Sequence, residues 1–235
     1  MKLIQENITQ TINEDFLLET INLNSKTILE LGCGSATKTK AIASLGFDRK
    51  IIACEVDEIQ YKKNIELNIE NIEFKPCGAQ DIDMPDESVD IVVMFKSFHH
   101  IPLELMNQAL KEIKRVLKPS GLTYISEPLF HGDQNRLIAM FHDEEHVRTK
   151  AFEAIKKSVD DGEFKLFNEI FFNNEVVYSS FKDFQNKQMD LSYNGESDIS
   201  KELMRNIETE FMKFYKDGEA RFLKPNRVDI LQKIV

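Results

Sequence analysis

The chain has 235 residues, of which 42% are hydrophobic, and its formal net charge at pH 7 is −10. That length and apolar content suit one domain with a substantial core plus an insertion. The acidic charge disfavours a broad phosphate-binding surface, so we expect no nucleic-acid partner and favour a small or cationic substrate.

No apolar run approaches the length of a membrane span, and polar residues follow residues 1–6, where a signal peptide would carry its apolar core. We therefore expect a cytoplasmic protein with no membrane partner. The sequence leaves the oligomeric state open, with a homodimer among the options.

An amphipathic helix is predicted near the start of the chain, because five apolar residues recur there at helical spacing. Such a helix would either cover the cofactor side or pack on the sheet formed by the following segments. The five residues are Ile8, Ile12, Phe16, Leu17 and Ile21.

The next segment predicts a buried strand that ends in a tight glycine turn. The apolar residues Ile28, Leu29 and Leu31 run directly into Gly32 and Gly34, and a helix is predicted after them. Glycine can take positive φ and, lacking a Cβ, lets a ligand lie directly on the backbone. Such a turn at the carboxyl edge of a parallel sheet predicts a nucleotide pocket.

A second apolar run, residues 51–54, ends on Glu55, about twenty residues past the turn, where an acidic side chain can accept both ribose hydroxyls. The turn lacks the Lys-Ser/Thr pair of a triphosphate site, and Thr37 stands where a dinucleotide pattern has its third glycine. Glu30 would repel a pyrophosphate but can pair with a cationic α-amino group. An adenosine ligand that carries an amino acid fits these residues.

The remaining elements alternate between strands and helices, which predicts a parallel sheet buried on both faces. Asp57 is placed to cap the helix after the second strand. A short third strand covers residues 72–74, a largely apolar fourth runs from Val89 to Phe95, and a fifth covers residues 122–126. A helical stripe lies between the last two, and residues 227–235 read as a final strand.

Taken in this order, the segments resemble the class I S-adenosylmethionine-dependent methyltransferases, in particular the small-molecule subgroup that includes quinone-biosynthesis C-methyltransferases. The resemblance covers roughly residues 25–127. It implies an α/β fold with a Rossmann-like doubly wound, mostly parallel seven-stranded sheet and an antiparallel last strand. It also implies S-adenosylmethionine as the cofactor.

The resemblance further implies a set of cofactor-binding residues in the glycine turn and in the loops after the second, third and fourth strands. They are Glu30, Gly32, Cys33, Gly34, Glu55, Val56, Ala79, Gln80, Asp81, Phe95 and Lys96. Two positions depart from the family pattern. Ala36 stands where glycine is frequent, which should crowd the loop slightly. Gly78 stands where an acidic or amide residue is common, which leaves the adenine contact to Gln80, Asp81 and backbone groups.

His99 and His100 follow the fourth strand and are the candidate catalytic residues, since either can take a proton near neutral pH. A base is optional, because a sulfonium methyl group is already electrophilic and alignment with exclusion of water is the main requirement. The alternative is that such a pair packs in the core or bonds to the backbone.

Residues 129–200 are rich in aromatic side chains and are predicted to form a helical cap that binds the substrate, inserted between core segments 1–128 and 201–235. Phe130, His131 and His142 are the candidate substrate contacts. Alternatively, the aromatic residues are simply the core of two or three extra helices.

Neither a disulfide nor a metal is predicted. Cys33, Cys54 and Cys77 are odd in number in a chain without an export signal, so we expect buried thiols, with a thiol cluster near the cofactor as the alternative. His142 and His146 have a spacing that a metal can use, but a solvated helix surface is the simpler interpretation.

The sequence thus predicts methyl transfer to a small-molecule acceptor, with an oxygen, nitrogen or carbon atom as the target. One alternative is another enzyme of the same fold, such as an aminopropyl transferase or a dehydrogenase. The other is a non-catalytic module that pairs with a catalytic partner. Retention of Gly32, Gly34 and Glu55 favours a chain that binds the cofactor.

Overall fold

A computed structural model describes residues 1–189 and 199–234. Its strands are β1 Thr27–Leu31, β2 Lys50–Cys54, β3 Ile72–Lys75, β4 Val89–Phe95, β5 Leu117–Pro128, β6 Phe164–Tyr178, β7 Tyr215–Lys216 and β8 Glu219–Lys233. Its α-helices are α1 Glu14–Leu18, α2 Thr37–Ser44, α3 Glu58–Ile65, α4 Met106–Val116, α5 Asp133–Ala139, α6 Glu145–Asp160, α7 Phe181–Gln188 and α8 Lys201–Met212. Two 3₁₀ helices, Phe98–His100 and Leu103–Leu105, precede α4.

The strands form one sheet in the order β3-β2-β1-β4-β5-β8-β6, with the short β7 paired to β8. Strands β1 to β5 pair with one another in parallel, whereas β8 is antiparallel to both β5 and β6. The predicted doubly wound, mostly parallel sheet with an antiparallel last strand is therefore confirmed. Val235, the end of that predicted strand, lies outside the described residues.

Helices cover both faces of the sheet, because alternate strand residues point to opposite sides. Leu29 belongs to a core shared with α4 and α6, whereas its neighbour Ile28 belongs to a core shared with α1 and α2. As predicted, Asp57 caps α3, accepting the backbone N–H groups of Ile59 and Gln60 at 2.8 and 3.0 Å. Among the described residues, the helices are too short or too polar to cross a bilayer.

The prediction of an amphipathic helix from Ile8 to Ile21 is wrong over most of that range. Helix α1 has only five residues. Ahead of it the backbone is extended and pairs with β6, where Asn173 donates to Gln10 O at 2.9 Å and accepts from Ile12 N at 3.0 Å. Pairing with a distant strand therefore outweighs the helical spacing of the apolar residues.

The prediction of a helical cap is wrong for part of its length. The fifteen residues of β6 fall within the predicted helical insertion, but they form a strand of the central sheet. Residues 190–198 of that insertion lie outside the described residues. Several of its aromatic side chains form a third core, in which Tyr178 and Phe184 are fully buried together with Phe211 of α8.

Cys54 and Cys77 form a disulfide, contrary to the expectation of free thiols. Cys54 ends β2 opposite Lys75 of the parallel strand β3, so Cys77, two residues beyond, lies at the same sheet edge. The two Cα atoms are 5.1 Å apart. Cys33 is buried and free.

Candidate active site

The glycine turn after β1 has the conformation that its sequence predicts. Gly32 and Gly34 have φ of +74° and +51°. A Cβ added to Gly32 would lie 2.7 Å from the Cβ of Ser97, so only glycine allows the loop after β4 to pack there. A Cβ added to Gly34 would meet nothing within 4 Å, so the turn faces open space on that side. Ala36 has φ of +59°, which explains why glycine is frequent at this position in the family it resembles.

Glu55 joins the end of β2 to this turn. Its Oε2 accepts the backbone N–H of Gly34 at 2.7 Å, and its Oε1 accepts that of Asp57 at 2.9 Å. The residue is only 7% exposed. Asn64 of α3 completes the contact by donating to Gly34 O at 2.7 Å, a role that the sequence analysis did not identify. The carboxylate is fixed beside the glycine turn, and each oxygen retains capacity for a further donor.

Glu30 lies beneath the turn as a buried acid that is 1% exposed. Its Oε2 has no hydrogen-bond partner among the described residues. Burial raises the pKa of this carboxyl to about 7, a rise that the Thr39 side chain and Lys38 partly oppose. An unpaired buried acid is costly unless a donor or cation reaches it, so this position favours a cationic ligand group.

The loop after β3 carries the residues that were predicted to contact adenine. Ala79 is buried, Gln80 is half-buried and Asp81 is exposed. The loop is held in place by Gln108 of α4, whose side-chain amide donates to Gln80 O at 2.8 Å. Val56, beside Glu55, is 71% exposed, an apolar side chain available to a flat ligand.

Lys96, predicted to contact the cofactor, forms an ion pair with the buried Glu14 at the start of α1, and the same Glu14 oxygen lies 3.7 Å from Lys38 of α2. Glu14 also accepts the hydroxyl of Ser126. Phe95, beside Lys96, packs on Tyr124 with the ring centroids 5.7 Å apart. The part of this loop that contacts the glycine turn is the Ser97 side chain, which approaches Gly32 and donates to Leu31 O.

His99 is 4% exposed and lies between two carboxylates that the sequence analysis missed. Its Nδ1 bonds Glu127, and its Nε2 is 3.7 Å from Oε1 of Glu144. Although burial lowers its pKa, the charges and hydrogen bonds of Glu127 and Glu144 raise the pKa to about 9. His99 is therefore protonated at neutral pH, a state that does not suit a proton acceptor.

His100 is exposed, and its ring centroid is 4.1 Å from that of His99. Desolvation of the imidazole and the neighbouring His99 lower the pKa of His100. His142 approaches the same group, with Nε2 3.0 Å from Glu144 Oε1. The structure thus joins the predicted catalytic pair to one predicted substrate contact through Glu144.

The other two predicted substrate contacts, Phe130 and His131, line an open cleft of about 630 Å³. Arg136, Asn173 and Arg221 are also among its lining residues, whereas His142 is not. The three candidate substrate residues therefore fall into two separate places.

Residues 29–125 match a family described as a methyltransferase domain. Over these residues, which are less than half of the chain, the protein is similar to S-adenosylmethionine-dependent methyltransferases. An uncharacterized methyltransferase of Schizosaccharomyces pombe is 37% identical over 114 residues, which are 48% of this chain and 42% of that protein. The ubiquinone/menaquinone biosynthesis C-methyltransferase of Rickettsia prowazekii is 32% identical over 117 residues, 46% of each chain. The aligned part of the chain thus spans less than half the length of each of these two relatives.

Two solved structures share the fold over nearly the whole chain. A putative methyltransferase from Bacillus halodurans has a TM-score of 0.63 at 18% identity and covers 94% of this chain and 98% of its own. The YcgJ protein from Bacillus subtilis has a TM-score of 0.66 at 16% identity and covers 94% and 97%. At these identities the similarity concerns the fold alone.

The residues of the methyltransferase domain fit the cofactor that this family uses. Open space beside Gly34 leaves room for a ligand on the backbone. Glu55 offers a fixed carboxylate for ribose hydroxyls, and the unpaired Oε2 of Glu30 suits an α-amino group. The sequence signal for Glu127 and Glu144 was weak, because both act only through neighbours that are distant in the chain.

Proposed function

We propose that this chain transfers the methyl group of S-adenosylmethionine to a small-molecule acceptor by in-line displacement. The observation that carries the proposal is the contact of Glu55 with Gly34, a hydrogen bond of 2.7 Å between the proposed ribose-binding acid and the glycine turn. A fixed carboxylate beside an open glycine backbone is what an adenosyl ligand requires. The site would be completed by the other predicted cofactor contacts, which are Gly32, Cys33, Val56, Ala79, Gln80, Asp81, Phe95 and Lys96.

The bound cofactor supplies an electrophilic sulfonium methyl group. The chain has to hold the acceptor in line with it and exclude water, which lowers the entropic part of the barrier. Ser97 ties the loop after β4 to the end of β1 by donating to Leu31 O at 2.8 Å. His100, the exposed member of the histidine pair, is the residue that we propose to face the acceptor.

We assign the acceptor to the class of small organic molecules. The cleft beside Phe130 and His131, about 630 Å³ in volume, has the size of a small-molecule site. Because one relative is described as a ubiquinone/menaquinone biosynthesis C-methyltransferase, quinones and phenols come first in a screen, followed by amines and carboxylic acids.

Calorimetry with S-adenosylmethionine, S-adenosylhomocysteine and NAD in parallel tests the cofactor. We expect micromolar binding of the two adenosyl ligands and none of NAD. Absence of all binding would contradict the proposal and favour a non-catalytic module.

Transfer itself is tested by following a radiolabelled methyl group from the cofactor into the acceptor panel. Detection of a methylated product is needed because the fold alone does not identify the reaction. One solved structure of the same fold, with a TM-score of 0.60 at 15% identity, is described as a [4+2]-cyclase. Cofactor binding with no methylated product across the panel would favour such other chemistry.

A further inference from the structure

The group around Glu144 has more donor atoms than the proposed transfer reaction uses. His99, His100 and Glu144 each offer one ligand atom, and these atoms lie within 4.8 Å of one another. The two histidines belong to the 3₁₀ helix after β4, and Glu144 directly precedes α6. Two separate parts of the chain therefore converge on one point.

Each side chain of this group is oriented by a further partner. Glu127 bonds Nδ1 of His99, so the other nitrogen, Nε2, points to Glu144. Glu127 is itself fixed, because its Oε1 accepts the N–H of Phe98 at 3.0 Å. Arg148 pairs with Oε2 of Glu144 at 2.5 Å and leaves Oε1 directed at the histidines. A carboxylate behind a histidine nitrogen is the usual outer arrangement of a metal-binding imidazole.

We propose that His99, His100 and Glu144 bind a divalent transition-metal ion of the Zn²⁺ class. Two imidazole nitrogens and one carboxylate oxygen are a common protein ligand set for such ions. Ligands about 2.0–2.1 Å from a tetrahedral ion lie about 3.3 Å from one another. The separation of 3.7 Å between His99 Nε2 and Glu144 Oε1 is close to this value, and the ligand atom of His100 lies within 4.8 Å of both.

The surroundings of the group favour a cation. Glu127 and Glu144 flank His99 at its two ring nitrogens, so two carboxylates lie close to the position proposed for the ion. His142, whose Nε2 is 3.0 Å from Glu144 Oε1, is the nearest candidate for a fourth ligand.

The site also suggests the kind of acceptor, an extension that rests on the proposed function. The histidines follow Ser97, which contacts the glycine turn, so the ion would lie on the acceptor side of the cofactor. If His142 leaves its position, an acceptor hydroxyl or thiol can take the open place, where the metal lowers its pKa. Metal binding itself requires neither cofactor nor acceptor.

The test is a titration of the full chain, stripped with a chelator, with Zn²⁺ in competition with a chromophoric chelator. Co²⁺ absorption then reports a tetrahedral nitrogen and oxygen environment. We expect one equivalent of tight binding, weakened at least about 100-fold in His100→Ala and Glu144→Gln. Loss of an outer partner typically costs 10- to 100-fold in affinity, so Glu127→Gln should weaken binding by about that factor.

His146→Ala is the matched control, because His146 is an exposed histidine at the start of α6 outside the group. Its affinity should equal that of the unaltered chain. Absence of tight binding, or equal affinity in the control, His100→Ala and Glu144→Gln, would overturn the proposal. Thermal melting checks that each variant is folded. If a variant at a buried position fails to fold, the affinity of His100→Ala, a variant at an exposed position, tests the proposal. Binding of S-adenosylhomocysteine to the stripped chain tests the proposed function separately.

Discussion

At the residue scale, Glu55 connects the two parts of the proposed cofactor site, since both of its oxygens are held by backbone N–H groups. Hydrogen bonds to a charged group contribute about 1–3 kcal/mol, so Glu55→Ala should weaken S-adenosylmethionine binding by about that amount. Calorimetry measures the change.

Glu58→Ala is the control for this substitution, because Glu58 is a nearby acid whose side chain is 76% exposed. It should bind S-adenosylmethionine like the unaltered chain. Unchanged affinity in a folded Glu55→Ala variant would remove the ribose-binding assignment.

Glu30 should make the folding stability depend on pH. Its pKa is about 7 in the folded chain against an ordinary 4.5, so the folded state binds more protons than the unfolded state between these values. The stabilising contribution of Glu30 to folding is therefore fully present below about pH 4.5 and is lost as the pH rises through about 7. The size of the shift corresponds to about 3 kcal/mol.

Urea unfolding of the chain and of Glu30→Gln at several pH values between 5 and 8 measures this contribution. The unaltered chain should lose stability relative to Glu30→Gln as the pH rises from 5 to 8. The stability of Glu58→Gln should follow that of the unaltered chain over the same range. A Glu30→Gln variant with the original pH dependence would show that Glu30 is ionised throughout.

The sequence identified the site residues that follow a local pattern. Gly32, Gly34 and Glu55 are brought together as expected, because each stands at the carboxyl end of a strand. Glu127 and Glu144 escaped notice, since their importance depends on meeting His99 across 28 and 45 positions of the chain. No short-range spacing encodes such a meeting.

At the element scale, the ends of β2 and β3 are joined by the disulfide. Titration of the denatured chain should find one reactive thiol without reductant, that of Cys33, and three after reduction. A Cys33→Ser variant should have none before reduction. Three thiols in the untreated chain would contradict the disulfide.

The disulfide joins residues separated by 23 positions, and closing a loop of that length stabilises a fold by about 3 kcal/mol in the chain-entropy account. Reduction should therefore lower the urea midpoint of the unaltered chain. The Cys77→Ser variant should already have the lower midpoint and should not respond to the reductant.

Two elements were mispredicted for one physical reason. The residues ahead of α1 have helical spacing, but their backbone pairs with Asn173. The β6 segment mixes charged and aromatic residues, and its ladder with β8 determines its strand conformation. Both conformations depend on partners far away in the chain, whereas β1, β2 and β4 were predicted from their own apolar runs.

At the scale of the whole molecule, the net charge of −10 leads to a prediction about partners. Duplex DNA and RNA should not bind at physiological salt, because binding of this kind depends on neutralising phosphates with basic side chains. Fluorescence anisotropy of labelled duplexes measures this. Saturable binding that weakens with added salt would reveal a local basic surface and contradict the prediction.

The doubly wound architecture followed from alternating strands and helices, and the antiparallel last strand followed from the family resemblance. The cytoplasmic location stays a prediction and the oligomeric state stays open, because they depend on surroundings and on a second chain. The boundaries of the cap also stay a prediction outside β6.

The position of β8 has a consequence for how the chain is made. This strand follows the other described strands in the sequence, yet it lies between β5 and β6, with Val228 and Leu231 fully buried. Until residues 219–233 leave the ribosome, β6 lacks the strand on which its ladder forms, and β5 has an open edge. A nascent chain can assemble β1 to β5 during synthesis, but it must expose two unpaired strand edges until translation reaches β8. Completion of the sheet therefore waits for the synthesis of β8, and the interval between β6 and β8 is when aggregation would compete with folding.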